Sequence, residues 1–147
     1  MKKIFSILVM MLPLLACNDS AEFRTLKHDN GLTLSISTDP SQVQPTQDGF
    51  VIVLSQPSNR SVNQISIRLQ ADTVAPSGVE TKTRGGQKYL FKRESADGGS
   101  GGREQILCIW KPLARGGVLL VHHVQAESEN LDFEMDWQII ESTRLAT

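Results

Sequence analysis

Apolar and polar residues alternate along Leu32-Thr33-Leu34-Ser35-Ile36-Ser37, a period of two that belongs to a strand with one buried face. Asn30-Gly31 before it and Asp39-Pro40 after it are turn signals. Residues 40–48, rich in Pro, Gln, Ser and Thr, read as a loop. Asp48-Gly49 then opens Phe50-Val51-Ile52-Val53-Leu54, an unbroken apolar strand, and residues 56–60 form another loop. From Val62 to Leu69 the alternation returns, with Ile65, Ile67 and Leu69 on one side and Gln64, Ser66 and Arg68 on the other. Residues 70–86 carry Ala-Pro, Ser-Gly and Gly-Gly punctuation and read as an exposed connection. Lys88 to Arg93 is a strand with Tyr89 and Phe91 on one face, and residues 96–102 (ADGGSGG) are a flexible connection. Glu104 to Lys111 is apolar on both faces, which predicts a central strand ended by Pro112. Val118 to Ala126 is the longest predicted strand.

The pattern changes after residue 130. Leu131, Met135 and Ile139 fall at four-residue spacing, as do Phe133 and Trp137, with Ile140 continuing the second stripe. Asn130 is a suitable helix cap, and Asp132, Glu134 and Asp136 suit a helix N-terminus. These features predict an amphipathic helix over 130–143, although Phe133, Met135 and Trp137 also alternate as a strand would. Short connections between strands favour antiparallel pairing. The expected fold is mainly β (α+β): a curved antiparallel sheet or two-layer β-sandwich with a C-terminal amphipathic helix packed on it. There is no internal repeat and no sign of a second domain.

The N-terminus is a different kind of segment. Lys2 and Lys3 precede a run of 12 mostly apolar residues, Ile4 to Leu15, broken by Ser6 and Pro13. As a helix this run is too short for a hydrocarbon core of roughly 30 Å, and its layout is that of a secretory signal peptide. Leu14-Leu15-Ala16-Cys17 resembles a bacterial lipobox, which implies cleavage before Cys17 and acylation of its thiol and amine. Several acyl chains on one residue anchor far more firmly than one, at roughly 0.8 kcal/mol per buried methylene. The expected organisation is residues 1–16 as lipoprotein signal peptide, 17–29 as lipidated cysteine and tether, and 30–147 as a single domain. Asn18 rather than Asp after the lipidated residue resembles a signal for transfer to the outer membrane, which places the anchor in that membrane's inner leaflet, facing the periplasm.

Removal of residues 1–16 takes two lysines with it, leaving 13 basic residues against 16 acidic ones and a net charge of −3 with His neutral. Nothing in that balance suggests a nucleic-acid binder. Cys108, in the apolar run ILCIW, then has no disulfide partner and reads as a small buried hydrophobe rather than a reactive thiol. The glycines of GGSGG are followed by Arg103-Glu104-Gln105, not by the Lys-Ser/Thr of a phosphate loop. His122 and His123 are adjacent, and neighbours on a strand point to opposite faces, so no metal site is expected. No Ser sits in a nucleophile elbow, and no enzyme is expected. Charge is segregated: Lys82, Arg84, Lys88, Lys92 and Arg93 lie in an acid-free stretch, while Glu127, Glu129, Asp132, Glu134, Asp136 and Glu141 lie in a base-free one. Such blocks form two solvated faces, which can face one another or steer a partner.

The order of lipobox, NGLTLSIS, DGFVIVL, GGSGGREQILCIW and VQAESENLDFEMDWQII resembles a family of small envelope lipoproteins that act as immunity proteins in type VI secretion. GGSGG with Trp110 downstream, and ESENLDFEMDW, are its most specific parts. The resemblance implies a partner toxin injected by neighbouring cells, a muramidase that cuts the glycan strands of peptidoglycan. It implies no cofactor of the chain's own, with calcium on the toxin side of the complex. Occlusion of the toxin's groove by a loop and adjacent polar residues is the expected mechanism. The candidate partner-binding residues are Asp97 and Ser100 in the glycine-rich loop, and Glu127, Glu129 and Asn130 after the longest strand. Homodimerisation is left open. The competing reading is a structural or assembly lipoprotein of the envelope with no toxin partner, and genetic neighbourhood separates the two.

Overall fold

Each alternating stretch forms a strand whose apolar side faces inward. The structure, a computed structural model, describes residues 23–37, 43–54, 63–71, 76–98, 101–114, 116–127 and 133–146. Along these residues run β1 (Arg24–Lys27), β2 (Leu32–Ile36), β3 (Val43–Pro45), β4 (Gly49–Val53), β5 (Asn63–Gln70), β6 (Glu80–Arg84), β7 (Gln87–Asp97), β8 (Arg103–Pro112), β9 (Val118–Ala126), α1 (Glu134–Ser142) and β10 (Arg144–Leu145). They make a three-stranded sheet in the order β1-β2-β10 and a seven-stranded sheet in the order β3-β4-β5-β9-β8-β7-β6. Every pairing is antiparallel. Neither sheet closes into a barrel, so the described residues form a curved sheet and a smaller sheet with one helix.

The large sheet is two meanders joined where β9 returns to pair with β5, placing Ile65 opposite His123 and Ile67 opposite Val121. β8 is interior, as its two apolar faces require. The inner face presents Phe50, Ile52, Ile65, Ile67, Leu107, Ile109, Leu119 and Val121, each exposed to 4 % or less. Against it pack Leu32, Leu34 and Ile36 of β2 and Trp137, Ile139 and Ile140 of α1, which together form one core. Burying a large apolar side chain contributes about 1.5–3 kcal/mol relative to leaving it in water, so this cluster is the main source of cohesion between the sheets.

Residues 134–142 are helical, and the strand alternative is excluded. The helix begins later than the sequence suggests: its N-cap is Phe133, with no side-chain capping bond. Asn130 is therefore not the cap, and it lies outside the described residues. Its first turn carries Glu134 and Asp136, which favour the positive end of the helix dipole. Its last turn has no basic residue of its own. Lys111 of β8 fills that role, donating from Nζ to the carbonyls of Ile140 (3.2 Å) and Thr143 (2.9 Å).

Four short strands were not legible in the sequence: β1 within the stretch read as tether, β3 within loop 40–48, β6 within connection 70–86, and β10 after the helix. β6, Glu-Thr-Lys-Thr-Arg, has no apolar face and is exposed along most of its length. It is placed by the Gly85-Gly86 turn, where φ is 54° and 77°, positive at both central positions as a two-residue hairpin turn demands. The longest strand is β7 with 11 residues, not β9 with 9. Charged residues from Lys92 to Asp97 extend it because β8 offers a continuous partner as far as Arg103.

Candidate functional site

The site is built where β7 ends, β8 begins and β9 ends, all at one end of the seven-stranded sheet. Asp97 pairs in register with Arg103, and Glu104 pairs with Ala126. The connection between β7 and β8 is drawn tight by Gly98 N–H donating to the Gly102 carbonyl (2.7 Å) and Gly101 N–H to the Gly98 carbonyl (3.0 Å). Gly101 holds a φ of 88°, a left-handed conformation that favours glycine. A Cβ at Gly101 or Gly102 would meet no atom within 4 Å, so this part of the connection stands clear of the domain.

Glu127 continues the β8–β9 ladder by one bond, its N–H donating to the Arg103 carbonyl at 2.9 Å. Its carboxylate accepts from Gln105 Nε2 at 3.0 Å and lies 3.6 Å from Arg103 Nε. The Arg103 and Glu127 side chains are 60 % and 41 % exposed, so the pair is a solvated one that orients groups more than it stabilises the fold. Asp97 and Glu127 therefore flank Arg103 at one sheet end. Ser100, Glu129 and Asn130 lie outside the described residues, as does Cys17.

Just inside this end the inner face turns polar. Ser95, Gln105, Gln125 and Asn63 occupy one cross-strand row, and His123 lies in the next row toward the core. His123 Nδ1–H donates to Asp136 Oδ2 at 2.9 Å, and Nε2 lies 2.9 Å from the Asn63 side-chain amide. His123 and Asp136 are 2 % and 0 % exposed. The Phe133 ring meets the imidazole edge to face at 5.6 Å, and Arg93 stacks over the same ring at 4.8 Å. This cluster ties β5, β9 and the start of α1 together beneath the site. His122 points the other way, as strand alternation requires, toward a groove with Ser66, Arg68 and Glu104. Burial, then Arg68, then His123 hold its imidazole below the ordinary histidine value.

The sequence reading missed Arg103, Gln105, Asn63, His123 and Asp136 as contributors. Asp136 was counted with the solvated acids; its only available signal was its place beside Trp137 on a helix face that must be buried. Cys108 is free and half-buried, and burial pushes its thiol up to about 11, so it is a protonated thiol at neutral pH. Among the described residues no three His, Cys, Asp or Glu side chains gather where one metal ion could be held.

The polar groups of this β-rich domain thus converge at one end of the large sheet and engage one another. The chain belongs to the type six secretion immunity 3 domain family, whose model matches residues 39–144. No curated protein matches it. Membership makes this a type VI secretion immunity protein with a cognate secreted toxin as partner. The matched stretch contains all five candidate contact residues; Cys17 precedes it.

Proposed function

We propose that this protein binds a secreted muramidase in the periplasm and blocks its substrate groove with the end of the seven-stranded sheet, while a lipid on Cys17 holds it at the inner leaflet of the outer membrane. The observation that carries this reading is the grouping of Asp97, Arg103 and Glu127 beside a glycine connection that stands clear of the fold. A glycan-cutting groove is narrow and lined by acids. Acidic side chains entering it alone would be repelled, and Arg103 supplies the opposite charge between them. Calcium held by the toxin would meet the same two carboxylates. The lipobox and the polar residues after it support the anchor, and peptidoglycan lies in the compartment such an anchor faces.

Reversing charge at Glu127 (Glu127→Lys) tests the surface. Calorimetric titration with the toxin should show binding weakened by about tenfold or more, roughly 1.4 kcal/mol. The variant's thermal midpoint should hardly move, because the carboxylate is solvated. Unchanged affinity would remove this end from the interface. For the anchor, mass spectrometry of the processed protein should find acyl chains on Cys17, and an unmodified thiol would contradict the proposal.

A further inference from the structure

β7 runs from the candidate site at Asp97 to Gln87, ten residues away, which is about 33 Å of strand. At that far end lies a cleft of about 480 Å³ lined by Arg84, Tyr89, Lys111, Glu141 and Arg144, among others. A second hollow of about 250 Å³ shares Gln87, Lys111 and Arg144 with it and continues over Leu113, Leu145 and Ala146, and this hollow is mainly apolar. The two form one continuous depression with a cationic end and an aliphatic end.

The cationic end has donors to spare. Lys111 has three N–H groups and gives two, to Ile140 and Thr143. Arg144 donates from Nη1 to the carbonyls of Glu141 and Thr143; its Nε and Nη2 have no acceptor among the described residues. Tyr89 is 98 % buried, with 2 % exposed, and its hydroxyl has no hydrogen-bond partner among the described residues. Its ring is fixed edge to face on Trp137 at 5.8 Å, so the hydroxyl cannot easily turn away from the cleft it lines. Glu141, the carboxylate at this end among the described residues, is engaged by Arg84 Nε at 2.6 Å. Burial, and then Arg144, hold the Lys111 ammonium below its ordinary value, with Glu141 acting the other way.

We infer that this depression is a receptor for a carboxylate-headed ligand with a short aliphatic body. The carboxylate takes the remaining Lys111 N–H, the Arg144 fork and the Tyr89 hydroxyl; the body lies on Leu113, Leu145 and Ala146. A guanidinium fork matches a carboxylate in geometry as well as charge, and capture of a peptide's terminal carboxylate is an established mode of recognition. The inference stands apart from the toxin reading, because it uses none of the residues at the Asp97 end.

The test is an amide-resolved NMR titration of the processed full-length protein with N-acetyl-leucyl-leucine, with its C-terminal amide, and with octanoate. The free acids should shift the amides of Gln87, Leu113 and Arg144 saturably, and the uncharged amide should bind at least about tenfold more weakly. Tyr89→Phe, which keeps the ring on Trp137, should weaken the acid about threefold or more, and Arg144→Ala about tenfold. Glu127→Lys should leave this binding intact. Tighter binding of the peptide acid than of octanoate would assign the site to a chain terminus, and the reverse to a simple aliphatic acid; both support carboxylate recognition. Equal binding of acid and amide, no saturable shift by either acid, or indifference to both cleft substitutions would overturn the inference.

Discussion

Alternation along β9 sends His122 outward and His123 inward, so two adjacent imidazoles occupy different media. The inward one is usable in a core because Asp136 and Asn63 meet its two nitrogens. Removing one partner of such a buried pair strands the other without water, and that loss exceeds the net worth of the bond itself. Asp136→Ala should therefore destabilise the domain by about 3 kcal/mol, measured as a shift in the midpoint of urea unfolding. A loss under about 0.5 kcal/mol, the size of an ordinary surface change, would mean that the pair is not buried as described. Arg103 and Gln105 make the same point about legibility. The strand read from Glu104 took in Gln105 but not Arg103, and the aim of both at Glu127 depends on register between β8 and β9, which no local spacing encodes.

The core strands and the helix could be read because each carries its own apolar signal: an alternation in β2 and β5, an apolar run in β4, β8 and β9, and a four-residue spacing in the helix. β3, β6 and β10 are short or polar and exist because a neighbour offers an edge, a cause that lies outside their own residues. The helix depends in the same way on another element, since its C-terminal carbonyls are met by Lys111 from β8. Lys111→Met keeps the stem but deletes both bonds. It should cost about 1.5–3 kcal/mol, as expected for hydrogen bonds from a charged group. Far-UV circular dichroism during unfolding should show helix signal lost at lower denaturant than in the parent. Coincident curves for the two proteins would show that the cap contributes nothing.

At the level of the whole molecule, the two charge blocks seen in the sequence meet each other. Arg84 is 2.6 Å from Glu134 and 2.6 Å from Glu141, and Lys82 and Arg84 stand over the Trp137 ring at 4.7 and 5.2 Å. A hydrogen bond from Arg84 holds the Glu134 carboxyl below its usual value. Within these blocks Lys82 and Arg84 fasten β6 to α1 through Trp137, Glu134 and Glu141, whereas Glu127 of the acidic block pairs with Arg103 at the other end of the sheet. That separation leaves the Glu127 end free for a partner while the helix face is occupied at home. The glycine connection, the two carboxylates and the family were legible in the sequence; the clustering of Asp97 with Glu127 through Arg103 was not, because it is made by three strands at once. The most direct measurement is survival of cells that export the cognate toxin to the periplasm. Co-expression of this protein should prevent lysis, and co-expression of Glu127→Lys at equal abundance should protect less. Lysis at the same rate with and without the protein would contradict the account.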